Sequence, residues 1–150
     1  MSEKTKMTPS RKGLLIVSII YVVVAILYIA LGVVSFACGS DSGILNNADL
    51  AKMAAESNSS VQEMFAAAAI TMIVYGVFEG IVALLGIRGA RNPRKMGLIT
   101  VIYGIAAALA MVSLLIALFT RNIDLSIVQS IIPIVGFFLC MKIRQEAKAN

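Results

Sequence analysis

Residues 13–40 read GLLIVSIIYVVVAILYIALGVVSFACGS and hold no charged side chain. An α-helix rises about 1.5 Å per residue, so ~20 apolar residues cross the ~30 Å hydrocarbon core of a bilayer. A run this long and this apolar has no comfortable place in a water-soluble fold. Two more follow: residues 64–87, with Glu79 as their one charge, and residues 96–120, with none. A fourth, residues 125–141, is uncharged but shorter and holds Pro133. Hydrocarbon leaves every backbone amide to be satisfied within the protein, which restricts spanning segments to helices or closed barrels. The expectation is an all-α membrane protein: one domain, 1–150, with helices at about 9–38, 60–88, 93–120 and 125–145.

Local signals agree with these limits. Pro9 and Pro93 stand where a first helical turn tolerates proline. Ser60 and Glu63 have the spacing of a capping box, and Asp124 can cap the last helix. Between the first two helices, an outer loop at 39–59 contains NADLAKMAAES from Asn47. It places Leu50, Met53 and Ala54 on one side and predicts a short helix at about 48–57. Asn58-Ser59-Ser60 has the form of a glycosylation acceptor, taken here as a chance match.

Charge gives the orientation. Lys4, Lys6, Arg11 and Lys12 precede the first span; Arg88, Arg91, Arg94 and Lys95 connect the second to the third; Lys142, Arg144 and Lys148 follow the fourth. That leaves only Lys52 and Arg121 of the 13 basic residues on the other side. Basic residues concentrate on the cytoplasmic side of spanning helices, so both termini are expected inside. The net charge of +5 is thereby a matter of topology, and no nucleic-acid partner is expected. A basic start, an apolar run and ACGSDSG around Cys38 together resemble a signal peptide ending at a lipid-modified cysteine. The apolar run far exceeds the ~7–15 residues of a signal core, and Ser35 and Phe36 fit that motif poorly.

Lipid gives helices no hydrophobic reason to associate, so small and polar residues mark packed faces. In the first helix they are Ser18, Tyr21, Ala25, Tyr28, Gly32 and Ser35; in the third, Thr100, Tyr103, Ala107, Ala110 and Ala117, with Leu114 in the gap. In the fourth they are Gln129, Pro133, Gly136 and Cys140. Steps alternating three and four predict left-handed packing near +20°, hence a left-handed four-helix bundle. The second helix runs mostly at steps of four, through Thr71, Tyr75, Glu79, Ala83 and Gly86. It also carries Gly76 and Gly80 in GxxxG spacing, a face for packing within the chain or against a second copy. A hairpin turning near Arg91 would set Glu79 against Tyr103 and Tyr75 against Ala107.

The composition excludes much chemistry. There is no His and no Trp, and the two cysteines, Cys38 and Cys140, cannot alone supply the roughly four ligands of a zinc or iron–sulfur site. No phosphate-binding glycine loop or nucleotide fingerprint occurs. No cofactor, metal or enzymatic activity is expected. A charged group at mid-bilayer costs ~2.5 kcal/mol or more, so Glu79 is the candidate site, within an intramembrane polar cluster of Glu79, Tyr103, Tyr21, Tyr75 and Gln129. It is either a structural lock hydrogen-bonded to Tyr103 or Tyr21, or a proton- or cation-coupling carboxylate. Pro133 frees the carbonyl of Gln129 and predicts a kink.

The stretch GIVALLGIRGARNPRKMGLI at 80–99, after a tyrosine-containing first helix, resembles small four-helix membrane proteins of Gram-positive and actinobacterial type. The resemblance implies the same four-helix plan in a bacterial inner membrane and assigns no activity. The plan is also similar to that of tetraspanins, claudins and the membrane-spanning four-domain family, without the Cys-Cys-Gly loop of the first or the loop Trp and cysteine pair of the second. Small multidrug transporters resemble the chain in size and in one membrane Glu, but theirs stands in the first helix and does not map onto Glu79. Two functional readings follow: a structural or accessory protein that self-associates as a homo-oligomer or joins a membrane-protein partner in the lipid bilayer, or a small transporter coupled through Glu79.

Overall fold

The computed structural model describes residues 7–39, 41, 46–120 and 126–149, with the backbone alone at Ala117, Thr120, residues 126–129 and Ala149. The expected cap Asp124 and Arg121, expected on the outer side, lie outside the described residues, as does the side chain of Gln129. Every regular element described is helical: α1 (Pro9–Cys38), α2 (Ala48–Glu56), α3 (Val61–Arg91), a 3-10 turn (Pro93–Lys95), α4 (Met96–Thr120) and α5 (Ser126–Ala149). Three stretches, Pro9–Cys38, Val61–Arg91 and Pro93–Ile116, are long and apolar enough to cross a membrane. Their exposed positions include Ile16, Ile26, Val74, Leu84, Leu98 and Leu109. A water-soluble protein does not leave apolar surface on that scale uncovered, and the chain is a helical membrane protein on these grounds.

The helix ends follow from local chemistry. Pro9 opens α1 where no intrahelical donor is needed, and the Thr8 carbonyl accepts from Lys12 N at 3.0 Å. Asn47 caps α2, its side-chain oxygen accepting from Asp49 N and Leu50 N. At α3 the capping box closes both ways: Ser60 N donates to Glu63 Oε2 at 2.7 Å, and Glu63 N donates to Ser60 Oγ at 3.2 Å. Pro93 starts a turn of 3-10 helix before α4 takes over at Met96.

The chain forms two compact units, Val23–Gly80 and Met1–Val22 with Ile81–Asn150. In the first, α1 and α3 approach at glycines. A methyl group on Gly32 would stand 2.9 Å from the Ala69 carbonyl oxygen, and one on Gly76 would stand 2.8 Å from that of Ala25. Neither contact could relax by turning a side chain, so both positions need glycine. Tyr28 and Tyr75 face each other with ring centroids 6.3 Å apart. Gly76 therefore belongs to packing within the chain. Gly80 lies looser, with Ala25 Cβ 3.8 Å from where its own Cβ would be.

The second unit packs the start of α1 and the end of α3 against α4 and α5 around Leu14, Val82, Met96, Tyr103, Cys140 and Ile143. On the α1 row Ser18, Tyr21, Ala25 and Gly32 are buried and Tyr28 and Ser35 half-buried; on α4 Thr100, Tyr103 and Ala107 are buried and Ala110 half-buried; on α5 Pro133, Gly136 and Cys140 are buried. On α3 the expected row needs correction. Glu79, Ala83 and Gly86 are buried, whereas Thr71 and Tyr75 are exposed. At 3.6 residues per turn, each step of four turns about 40° past the previous residue. A row built mostly of fours therefore winds off the buried face, which toward the start of α3 passes through Ala69 and Gly76 instead.

Candidate functional site

Tyr103 is the polar centre of the second unit. It is 0 % exposed, and its hydroxyl lies 3.1 Å from Ser18 Oγ, either of which can donate. Two glycines make room for the ring: a Cβ on Gly86 would collide with Ser18 Oγ and the Tyr103 hydroxyl, and one on Gly136 with the edge of the Tyr103 ring. The 3-10 turn Pro93–Lys95 stands between α3 and α4, so the hairpin turns beyond Arg91. Tyr103 faces Gly86 as a result. The pattern of a large residue opposite a small one holds, with a different partner from the one expected.

Glu79 is 5 % exposed, and its Oε2 has no hydrogen-bond partner among the described residues. A buried acceptor normally finds a donor, and an orphan costs ~1–3 kcal/mol. Tyr21 is also buried. Tyr75, placed with these residues from the sequence, is instead 51 % exposed and stacks near Tyr28.

One end of this unit concentrates polar chemistry that sequence spacing did not connect. Arg11 donates from Nε to the Ala90 carbonyl at 2.7 Å and from Nη2 to the Arg91 carbonyl at 2.9 Å. It thereby satisfies acceptors at the end of α3, where the helix dipole favours a cation. Ser10 Oγ donates to Glu146 Oε1 at 2.7 Å and Thr8 Oγ1 to Oε2 at 2.9 Å. These bonds, with the positive charge of Lys142, hold the Glu146 carboxyl below its ordinary value of 4.5. Beside them, between the last turn of α3 and the first of α4, lies an open cavity of about 700 Å³ whose wall carries Arg88, Arg91, Arg94 and Lys95 and, among the described residues, no acidic one. The cations were legible in the sequence as a topology signal; that they surround a cavity was not.

No protein-family model, curated protein or solved structure matches the chain.

Proposed function

We propose that the chain is a non-enzymatic protein of a bacterial inner membrane that crosses it four times, with both termini cytoplasmic, and serves a structural or accessory role beside another membrane protein or a second copy of itself. The observation that supports this best is the tying of three basic segments at one end. The start of α1 bonds to the end of α3 through Arg11 and to the end of α5 through Ser10 and Glu146. Helices whose first start and last end lie together cross an even number of times. In α5, Gly136 lies beside Tyr103 and Glu146 beside Ser10, so this helix runs antiparallel to α1 along the same depth. The ten steps from Ser126 to Gly136 add about 15 Å beyond that point, a length that supports reading α5 as a fourth crossing. The inside assignment rests on the basic bias.

The experiment for the accessory role is photo-crosslinking in native membranes from exposed positions on two helices, Val74 on α3 and Leu109 on α4. A discrete crosslinked protein, either a partner or a dimer of the chain, is expected from one face. Lipid adducts alone at every position would remove the accessory reading.

Glu79 gives the second reading specific support. A buried carboxylate oxygen without a donor leaves room for a proton or a cation to fill that role, as a coupling site requires. In that reading the chain is a small proton- or cation-coupled transporter.

A further inference from the structure

The basic cavity at the α3–α4 connection has features that a topology signal alone does not require. Positive charge near a membrane end could be spread over any exposed surface. Here four cations converge on a single concavity of about 700 Å³, a size typical of small-molecule sites. Arg88 and Arg91 stand three apart on α3, and side chains at that spacing share a helix face. Arg94 and Lys95 come from the 3-10 turn that follows. Arg11 already occupies the carbonyls of Ala90 and Arg91, so the negative end of α3 is met from another side. The four cavity cations line a space whose wall holds no carboxylate among the described residues.

The rest of the wall says what kind of anion fits. Leu85 and Leu98 line the same cavity, and Leu98 is exposed. The two candidate spans that flank the cavity end at Arg91 and begin at Pro93, so it opens at the depth where lipid headgroups lie. A site with cations at its polar end and leucines toward the hydrocarbon matches a molecule that is a phosphate at one end and an acyl chain at the other. Basic pockets between spanning helices are used for lipid headgroups in this way. We infer that this cavity binds the phosphate headgroup of an anionic phospholipid, held by Arg88, Arg91, Arg94 and Lys95. The inference does not depend on which side of the membrane the connection faces, nor on the role of Glu79.

Gly97 supplies a clean test. It lines the cavity in the first turn of α4, and a Cβ placed on it meets nothing within 4 Å. Gly97→Glu therefore puts a carboxylate into the site without disturbing packing, at a helix start that favours acidic residues. The measurement is native mass spectrometry of the full chain released from micelles containing equal amounts of phosphatidylglycerol and phosphatidylcholine. The wild type is expected to retain phosphatidylglycerol in preference. Arg91→Gln and Arg94→Gln should each weaken that retention about fivefold, the effect of one cation near an anionic headgroup. Gly97→Glu should abolish the preference while melting at the wild-type temperature. Arg144→Gln, which removes an exposed cation outside the cavity, should leave it unchanged. Equal retention of the two lipids by the wild type, or an undiminished preference in Gly97→Glu, would overturn the site. So would an Arg144→Gln loss as large as that of Arg94→Gln, which would mean diffuse attraction. A second arm adds glycerol phosphate to protein in phosphatidylcholine alone. Protection from heat by that soluble anion, matching that of the lipid, would overturn the lipid as the ligand's source.

Discussion

Tyr103 is held by residues with little or no side chain, and this makes its surroundings sensitive to a single methyl group. Gly86→Ala drives a carbon into the Ser18 and Tyr103 hydroxyls, an overpacking that costs about 1–3 kcal/mol. Gly97→Ala, with open space around its Cβ, should be neutral or stabilise by up to ~1 kcal/mol through helix propensity. Thermal unfolding of the two variants in one detergent checks the pair, and equal melting would refute the slot. The sequence marked Tyr103, Ser18 and Gly86 as interior residues but did not pair them, because pairing depends on where the hairpin turns and a 3-10 turn of three residues leaves no periodic signal. Glu79 is the opposite case: conspicuous in sequence, and buried with an Oε2 that has no hydrogen-bond partner among the described residues. Since that oxygen is an orphan, Glu79→Gln and Glu79→Leu should melt at or above the wild-type temperature, with Leu gaining up to ~1–3 kcal/mol. A stabilised Leu variant that has lost function would identify the carboxylate as retained for its chemistry. A Leu variant that melts lower would show the other oxygen tying helices together, and would restore the structural lock.

At the scale of the helix, GxxxG and the rows of small residues proved unequal in what they could reveal. Rows stepping three and four on α1 and α4 keep most of their residues on the packed face, buried at Ser18, Tyr21, Ala25, Gly32, Thr100, Tyr103 and Ala107 and half-buried at Tyr28, Ser35 and Ala110. The row of fours on α3 could not stay there, and Tyr75 shows where it leaves. GxxxG alone never says which neighbour it serves; the close approach of Gly76 to the Ala25 carbonyl and Ile29 assigns it to α1. This changes the expected result of mutating it. Gly76→Leu should lower the melting temperature sharply or prevent folding, with no change in the oligomeric size of whatever folds. Gly80→Ala makes only ordinary contact with Ala25 and should be tolerated. The two variants are compared by melting and by light scattering in detergent. A well-folded Gly76→Leu protein that has shifted from a larger species to monomer would return this face to self-association.

At the scale of the whole molecule, stability and topology meet at the end where α1 begins. Glu146 accepts hydrogen bonds from Ser10 and Thr8 and its carboxyl is held below the ordinary value. The folded form therefore binds a proton less readily than the unfolded chain. The tie is fully present above the ordinary carboxyl range and is lost as pH falls through that value and then through the lower folded one. Glu146→Gln should melt below the wild type at about pH 7, and the gap should close at about pH 3; a gap that persists in acid would mean the charge is not what matters. The same end motivates the last prediction, the proposed four crossings with cytoplasmic termini. Chain direction is constrained because Ser10 and Glu146 touch, so whichever side holds the start of α1 also holds the end of α5 and the α3–α4 connection. A single cysteine at Lys12, at Arg94 or at Lys148 should therefore behave alike, in a Cys38→Ala background with the buried Cys140 left in place. The basic bias predicts that all three resist a membrane-impermeant thiol reagent in intact cells and react once the membrane is opened. A cysteine at Glu56, exposed on α2, should react from outside. If all four patterns invert, the bundle is intact and only its orientation is wrong. If Lys148 reports the opposite side from Lys12, α5 does not complete a crossing, and three spans replace four.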